Sequence, residues 1–549
     1  MIKSLYNKII TNRRNTIIFI IILTILASIP IFTFGSIANG HDITFHLSRI
    51  KGISDNIKDF NVFSGIYKGY FNKYGYANGL FYPDLFLFFP AILHALGMKI
   101  ITSYKLFVVI INFLSILSMY ITVKGISKNK YAAIMSSIIY AFAPYRLVDL
   151  YQRAALGEAL AFIFIPLVFY GLYEIVFGDY KKYWLLTIGM SGLILSHILS
   201  TYMVGIVLFL FCLINIKRFI KEKKRIAYLF LAALITLLLT SYFLLPMIEQ
   251  MTSQTFKYSN TSTLEQFVLS NRVTNPLLLF LEIPNLYKYL KLEYWLPAGI
   301  GIIYIYLIYT LILNRKKNDK FSNQSLVISL VILVLVCITP FWELNVTQKL
   351  LYLVQFPWRF YMFPTVLLTI CGCSYISKEH ESLKVLRMTF LVSMISLISM
   401  CHFAFTNANI IDQKDYYASF AEYLPIEVDR DYINIKGDLV TSNNTVNSTI
   451  TDKGSYYEVN FKQRDNQHNT YLELPLIYYK GYTAKMNNEN LKVFKNNNGL
   501  VNIEIGDIPE GKAIVKYSGT ILQHITLAIS LLSLVLFSIF IYKEVKHEK

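Results

Sequence analysis

The sequence predicts a polytopic α-helical membrane protein with about twelve transmembrane helices and a β-rich domain inserted before the last of them. Of the 549 residues, 55% are hydrophobic and only 16% are charged, whereas soluble domains carry about 25% charged residues. Apolar runs of roughly 18 residues or more recur along the chain, which is the length that a helix needs to cross a bilayer. The composition becomes polar only at 407–520.

The first apolar run, Ile17 to Phe34, follows the basic segment "KSLYNKIITNRRN". A basic segment before an apolar run is typical of a secretory signal peptide. However, this run is longer than the apolar region of a signal peptide, and no small-residue cleavage site follows it. We therefore interpret it as a retained first transmembrane helix.

The net charge of +18 is explained by topology, because the Lys and Arg residues concentrate in short loops between apolar runs, as the positive-inside rule requires. No basic stripe interleaved with base-stacking aromatics is present, so we expect no nucleic-acid partner. If all the basic loops are cytoplasmic, both termini are cytoplasmic and the later spans form pairs. The predicted pairs are 130–149 with 157–177, 183–199 with 201–216, 226–246 with 296–313, 325–341 with 359–377, and 388–406 with 521–542.

Two apolar segments, 83–99 and 104–123, separate the first span from the basic loop "KGISKNK". Only one of them can cross the membrane if that loop is cytoplasmic. The segment 83–99 is short and contains an Asp, a His and an internal proline. We therefore predict that it lies along the membrane without crossing, and that residues 37–103 form the first external loop of a membrane module spanning 1–406.

Residues 407–520 alternate apolar and polar side chains in runs such as "SYYEVNFK", "TYLELPLIYY", "LVNIEIGDI" and "KAIVKYSG". Turn signals such as "NNNG" and "PEGK" separate these runs, which is the pattern of a β-sandwich. The same charge argument places this domain on the extracytoplasmic side. Residues 521–549 then form the final transmembrane helix and a cytoplasmic tail. The five cysteines all fall in apolar segments and show neither a disulfide framework nor a zinc pattern.

The first group of candidate site residues is Asp42, His46 and Arg49 in "NGHDITFHLSRI". Spacings of four and three place them on one face of a helix. A carboxylate at Asp42 is suited to act as a general base or to bind a divalent cation. His46 and Arg49 are suited to bind an anion such as phosphate. The alternative is a solvated loop in which Asp42 only caps the helix.

The second group lies in "APYRLVDLYQRAALGEALAF", where Arg146, Asp149 and Arg153 have helical spacing and Glu158 begins the next span. Placing an ionisable side chain at membrane depth costs free energy, so a functional role for these residues is the first hypothesis. As alternatives, Glu158 complements the dipole of its helix, and the arginines extend to the membrane interface.

Two further residues stand at the ends of predicted spans. His197 in "LILSHILST" is a candidate ligand for substrate, although a single His at such a position also has an ordinary structural interpretation. Arg359 in "QFPWRF" follows a Trp. This pair is suited either to bind a lipid phosphate or to anchor the helix in the aromatic belt of the membrane.

The blocks "NGHDITFHLSRI", "YANGLFYPDLFLFFP", "YAFAPYRLVDLYQRAALGEALAFIFIPL", "LSHILS" and "FPWRF" resemble bacterial integral membrane proteins of the 6-pyruvoyl-tetrahydropterin synthase-related family. These proteins are similar to YfhO-type proteins and to the GT-C glycosyltransferase superfamily. The C-terminal "LPLIYYKGYTAKMNNENLKVF" also resembles the sandwich end of YfhO-type proteins. The sequence has no closely spaced histidines on strands for the zinc site of a soluble pterin synthase, so we discount that activity.

The resemblance implies a GT-C-like fold and a membrane glycosyltransferase that inverts the anomeric centre. Such enzymes move a sugar from a polyprenyl-phosphate-linked donor to an acceptor, here an envelope glycan or glycolipid. By resemblance, Asp42 is the catalytic base for the acceptor hydroxyl, and Glu158 is the second carboxylate, which orients the acceptor or a divalent metal. Arg49, Arg153 and Arg359 neutralise the leaving phosphate. A divalent cation such as Mg²⁺ or Mn²⁺ would bind to Asp42 and Glu158. The motif "HD" replaces the paired acids of several GT-C families and leaves this metal dependence open.

The alternative function is non-catalytic. The same acidic and basic groups would then bind or transport a lipid-linked glycan of the envelope without chemistry. Polar groups along the whole transport path would favour this alternative, whereas loss of function in Asp42→Asn with retained folding would favour an enzyme.

Overall fold

A computed structural model of the chain describes residues 12–33, 36–259, 269–281, 299–379, 382–409, 421–463 and 468–547. The N-terminal basic segment up to residue 11, parts of the predicted external loop 247–295 and the start of the predicted domain 407–520 lie outside these ranges. The chain forms two compact units. The first contains Met1–Ile43, Tyr104–Leu237 and Gln266–Ile411, and the second contains Thr44–Ser103, Leu238–Glu265 and Asp412–Lys549.

The first unit is helical. Its most buried candidate spans are Leu156–Val176 and Pro357–Ser377. Its helices are Arg13–Ala27, Lys130–Ala141, Pro144–Leu147, Leu156–Val176, Trp184–Ile194, Ile198–Ile214, Ile216–Lys221, Ile303–Leu313, Lys320–Leu335, Thr339–Glu343, Asn345–Leu351, Met362–Glu379 and Leu383–Thr406. It also contains most of Ile100–Ser127 and the first half of Lys223–Ser253. The helix Met362–Glu379 packs against the helices at 130–141, 303–313 and 320–335.

Within the described ranges, six helices are long and apolar enough to cross a membrane, or seven if one bent pair is a single span. The prediction of a polytopic helical membrane protein therefore holds, while the number of twelve spans stays a prediction. Several predicted spans form shorter apolar helices, at Ile198–Ile214, Ile303–Leu313 and Lys320–Leu335. The α-helix Phe88–Ala95 has eight residues and is only about 12 Å long, too short to cross a bilayer. Its length agrees with the predicted non-crossing segment.

The bent pair consists of Lys130–Ala141 and Pro144–Gln152, which meet at 47°. Pro144 has no N–H to continue the first helix, so the chain starts a new helix there. Arg146 donates hydrogen bonds to the carbonyl oxygens of Tyr140 (2.9 Å) and Ala141 (2.5 Å) at the end of the first helix, where carbonyl groups lack the partners of a continuing helix. Its third contact is the Oδ1 atom of Asn112, at 2.8 Å. Arg146 therefore stabilises the bend, instead of acting with Asp149 and Arg153 as its spacing had indicated.

The second unit contains a β-sandwich of two antiparallel sheets. Two short strands, β1 Ile37–Ala38 and β2 Ala408–Asn409, belong to the first unit. The strands of the sandwich are β3 Thr441–Ser442, β4 Val446–Asp452, β5 Tyr457–Gln463, β6 Thr470–Ile477, β7 Tyr482–Met486, β8 Glu489–Leu491, β9 Val493–Lys495, β10 Leu500–Gly506 and β11 Glu510–Tyr517. In sheet order they are β3-β6-β10-β9 and β4-β5-β11-β7-β8. All four apolar-polar runs identified in the sequence form strands. Alternate residues of β5 and β11, such as Val459 and Val515, are buried, as expected for a sheet with one face in the core.

The second unit also contains most of the predicted first external loop and the helix Ile521–His547. In the loop region, the helices are Ile43–Lys58, Asn78–Phe81 and Phe88–Ala95. The loop is joined to the sandwich by a backbone hydrogen bond from Ile477 N to Tyr74 O (3.0 Å) and by an ion pair between Lys68 and Asp452 (2.7 Å). Residues 44–103 thus belong to the same compact unit as the sandwich. The predicted membrane module 1–406, of which they are the external loop, stays a prediction.

Candidate active site

Asp42 is held in the first unit by its main chain. Its N–H donates to the carbonyl oxygen of Arg153 at 2.9 Å, and the N–H of His41 donates to that of Gln152 at 3.3 Å. Just before it, β1 (Ile37–Ala38) pairs antiparallel with β2 (Ala408–Asn409). These contacts fix the segment that carries Asp42 against the segment that carries Arg153.

Gly40 allows this close approach of the two segments. A Cβ atom at Gly40 would lie 2.6 Å from the Cβ of Ala154, and Ala154 itself has a φ of +53°. We expect Gly40→Ala to lower the free energy of unfolding by about 1–3 kcal/mol, because overpacking forces the backbone to shift. Ala154→Gly should offset much of this loss, since it removes the opposing Cβ and relieves the left-handed backbone. Unfolding of the two single variants and the double variant measures the coupling; simple additivity would contradict this contact.

Glu158 is the centre of a buried ion cluster in the same unit. Its Oε2 atom lies 2.7 Å from Nη1 of Arg153 and 3.5 Å from Nε of Arg359. Its Oε1 atom accepts a hydrogen bond from the hydroxyl of Tyr145 at 2.5 Å. Arg153 also pairs with Asp149, four residues earlier. These side chains are at most 9% exposed, so each charge depends on its partners instead of water.

The local fold explains why these groups meet. Residues Val148–Gln152 form a π-helical turn. Glu158 is the third residue of the next helix, Leu156–Val176, and its side chain contacts Arg153. Arg359 comes from the helical turn Pro357–Tyr361. The indole of Trp358 lies under the guanidinium of Arg153, 4.5 Å from its centre. This cation–π contact supports the cation without neutralising it.

Asp42 differs from the carboxylates of Asp149 and Glu158 because it is half-buried and has no ion pair among the described residues. Burial raises the pKa of Asp42 above its ordinary value, against the lowering effect of Arg153 and Arg359 and with a smaller raising effect from Glu158. Asp42 is therefore close enough to Arg153, Arg359 and Glu158 for their charges to influence its carboxyl group. The structure thus brings together Asp42, Arg153, Glu158 and Arg359 of the predicted site.

His197 caps the N-terminus of the helix Ile198–Ile214. Its Nδ1 atom accepts a hydrogen bond from the N–H of Ser200 and lies 2.7 Å from the hydroxyl of that residue. His197 also interacts electrostatically with Glu158. Capping this helix is a structural role for His197. Its role in binding substrate stays a prediction.

His46 and Arg49 belong to the second unit. Arg49 is 1% exposed and makes two contacts with Oδ1 of Asp84, at 2.5 and 3.2 Å. It also donates to the carbonyl of Pro83 (2.6 Å), stacks over the ring of Tyr82 (4.2 Å) and lies 3.4 Å from Nδ1 of His46. Because Arg49 is neutralised in this unit, we do not retain it or His46 in the proposed site. Asp84 was not among the predicted site residues, and its signal in the sequence was its place in the polar-aromatic run before the short helix.

The donor set of the first unit does not fit a divalent cation. The oxygens of Glu158 and one oxygen of Asp149 already contact guanidinium groups or a hydroxyl, and two arginines would repel a metal ion at the same place. No group of three metal-binding side chains is found among the described residues. The predicted use of Asp42 and Glu158 as ligands of Mg²⁺ or Mn²⁺ is therefore not carried into the mechanism.

Together, the apolar helices and the buried ion cluster define a polytopic membrane protein with one half-buried carboxylate beside paired arginines. The family model "6-pyruvoyl-tetrahydropterin synthase related domain; membrane protein" matches residues 80–408, more than half of the chain. The chain therefore belongs to this family, which confirms the resemblance seen in the sequence. Arg153, Glu158, His197 and Arg359 lie within the matched region, and Asp42 lies before it.

Two further comparisons find similar proteins, but neither shows an activity for this chain. A protein of Lactococcus lactis subsp. cremoris (strain MG1363), described as "Uncharacterized protein", is 26% identical over 360 residues, which are 62% of this chain and 54% of the relative. The chain thus spans about half of the length of this relative. The cryo-EM structure of the arabinofuranosyltransferase AftD from Mycobacteria matches with a TM-score of 0.39 and 12% identity, over 73% of this chain and 27% of AftD. A TM-score of this size carries no argument about fold or activity.

Proposed function

We propose that the protein is a membrane glycosyltransferase that moves a sugar from a polyprenyl-phosphate-linked donor to an envelope glycan or glycolipid. The observation that carries this proposal is the half-buried Asp42 carboxylate, without an ion pair among the described residues, beside the buried Arg153–Glu158–Arg359 cluster. A free carboxylate next to fixed cations combines a base with stabilisation of a leaving anion. The GT-C resemblance of the sequence supports the same reaction.

In the proposed mechanism, Asp42 accepts the proton of an acceptor hydroxyl as the hydroxyl oxygen attacks the anomeric carbon. The bond from that carbon to the phosphate oxygen breaks, and its electron pair stays on the phosphate. Arg153 and Arg359 stabilise the phosphate as its charge develops. A single displacement of this kind inverts the anomeric centre. The proton taken by Asp42 is then lost to water.

Glu158 has a positioning role in this mechanism. Its carboxylate contacts Arg153 at 2.7 Å and Arg359 at 3.5 Å and accepts a hydrogen bond from Tyr145. A group with these partners is poorly suited to take a proton from the acceptor. We therefore revise the role predicted for Glu158, from orienting the acceptor or a metal to holding the two cations in place.

The proposed reaction takes place at the outer face of the cell membrane. The distribution of basic loops supports this placement, with both termini in the cytoplasm and residues 407–520 outside. Polyprenyl phosphate as the leaving group would need no nucleotide site, and the sequence has no Gly-rich phosphate loop. The external sandwich would then bind the acceptor glycan or a partner.

A strain that lacks the protein provides the first test. Envelope glycans and glycolipids of this strain and of the same strain complemented with wild type are compared by mass spectrometry. We expect a difference of one sugar residue that wild type restores and Asp42→Asn does not, at equal protein levels. Full restoration by Asp42→Asn would instead favour the alternative, a protein that binds or transports a lipid-linked glycan without chemistry.

A further inference from the structure

A strained turn precedes the segment that carries Trp358 and Arg359. Gln355 has a φ of +64° and a ψ of −35°, and the N–H of Phe356 donates to the carbonyl of Val354 at 2.7 Å. A hydrogen bond that spans three residues, with a positive φ at the central one, defines a γ-turn of the rare and strained kind. Strain of this sort persists where the surrounding structure holds it, and it clusters at active sites and ligand sites. Here the turn holds Arg359.

The turn offers two uncharged acceptors to one nitrogen of Arg359. Its Nη1 atom donates to the carbonyl of Val354 at 3.1 Å and to Oε1 of Gln355 at 2.9 Å. An Nη atom carries two hydrogens, so these two bonds use both of them. The ring of Phe356 covers one face of the same guanidinium, with the ring centroid 5.1 Å from Cζ. These contacts fix the orientation of the guanidinium and leave its positive charge uncancelled.

Arg153, the other cation at Glu158, is held differently. Its Nη1 atom contacts two carboxylates, those of Asp149 and Glu158. Arg359 shares the Oε2 atom of Glu158 with Arg153, but its Nε atom lies 3.5 Å away, compared with 2.7 Å for Arg153. In the described part of the chain, neither Nε nor Nη2 of Arg359 makes a hydrogen bond. Arg359 is therefore the less neutralised of the two cations, and it retains donors for an anion.

We propose that Gln355 is a positioning residue, which holds Arg359 through uncharged acceptors in the orientation that binds the phosphate of a lipid-linked donor. A carboxylate in place of the Gln355 amide would pair with the guanidinium and compete with the phosphate. An apolar side chain would leave one N–H of Nη1 without its acceptor. The amide meets both needs. This inference rests on the proposed function for the role of Arg359 in binding phosphate.

Binding of farnesyl phosphate to the full chain in detergent micelles, measured by calorimetric titration, tests the proposal without measuring transfer. Gln355→Met is similar in length but has no acceptor, and it should weaken binding about 10-fold, the effect of losing one hydrogen bond to a charged group. Gln355→Glu keeps the acceptor and the shape but adds a charge, so it should weaken binding at least as much without lowering the unfolding temperature. A purely structural role of Gln355 would leave the affinity of Gln355→Glu unchanged.

Two further variants serve as references. Gln348→Glu adds the same charge at an exposed position in the helix Asn345–Leu351 and should bind farnesyl phosphate as wild type does. Arg359→Gln removes the guanidinium itself. In that background Gln355→Met should cause no further loss of affinity, because the two residues act through one contact. Inorganic phosphate and farnesol, titrated separately, show which part of the probe is bound.

The outcomes separate this inference from the proposed function. Wild-type affinity in Gln355→Glu would overturn the need for an uncharged acceptor, and equal losses from Gln355→Met with and without Arg359 would overturn its action through Arg359. Wild-type affinity in Arg359→Gln would instead overturn the phosphate-binding role of Arg359 in the proposed function. Equal affinity of wild type for inorganic phosphate and farnesyl phosphate would overturn the lipid source of the phosphate. Absence of the glycan difference with intact phosphate binding would overturn the transferase alone.

Discussion

Asp42→Asn is expected to lower the rate of glycosyl transfer by about 100- to 10,000-fold, the usual contribution of a general base. Asparagine has nearly the same shape but cannot accept the proton of the acceptor. The backbone contacts of Asp42 with Arg153 do not involve its side chain, so the variant should fold as wild type does. Single-turnover transfer in membrane vesicles with matched protein levels gives the comparison. A rate within about threefold of wild type would remove Asp42 from the chemistry.

The pH dependence of transfer provides an independent readout for the same residue. The base must be ionised, so transfer should fall as the pH drops through the pKa of Asp42. Because burial raises that pKa, the fall should occur above the range of an ordinary aspartate. The residual activity of Asp42→Asn should lack this acidic limb. A wild-type profile that stays flat down to the ordinary aspartate range would contradict a raised pKa at the base.

Glu158→Ala is expected to lower the free energy of unfolding by about 3–5 kcal/mol, because it leaves Arg359 as an uncompensated buried charge and removes one of the two carboxylate partners of Arg153. Glu158 is 1% exposed and contacts both arginines and Tyr145, so water cannot replace the lost partner. Reversible unfolding of the full chain in mixed micelles is the measurement.

Two controls sharpen this experiment. Glu158→Gln keeps an acceptor for the hydroxyl of Tyr145 but removes the charge, so its effect should lie between those of wild type and Glu158→Ala. Glu510→Ala breaks the ion pair with Lys462, in which both side chains are more than 60% exposed, and should change stability little. Equal effects of Glu158→Ala and Glu510→Ala would contradict a desolvated cluster around Glu158.

The helices and strands could be predicted from the sequence where a segment shows a long apolar run or a regular alternation of apolar and polar residues. The four runs identified in the C-terminal domain form strands, and in β5 and β11 the buried residues follow the period of two that the sequence shows. β6 and β10 are buried along most of their length. The packing of 44–103 in one unit with the sandwich could not be predicted, since contacts such as that of Tyr74 with Ile477 join segments far apart in the chain. Hydropathy also indicates apolar runs without showing where breaks such as Pro144 divide them into shorter helices.

In the site too, contacts between residues close in sequence could be predicted, whereas contacts between distant segments could not. Asp149 and Arg153 were found on one face because their spacing of four survives in the π-helical turn. Arg146 was not separated from them, since its partners at the end of the preceding helix appear only when the chain bends. The pairing of Arg49 with Asp84 and the stacking of Arg153 on Trp358 depend on tertiary structure, which no spacing rule describes.

The order of the chain segments in the two units has a consequence for biosynthesis. Each unit is assembled from three segments that alternate along the chain, so neither unit can be completed while the ribosome is still translating the first half. Thr44–Ser103 emerges early, yet its partners in the sandwich are made last. During that interval Tyr74, which is buried in the folded protein and donates to the carbonyl of Gly437, lacks that partner. We therefore expect chains truncated before the sandwich to leave Thr44–Ser103 incompletely packed, and incompletely packed segments are prone to aggregate.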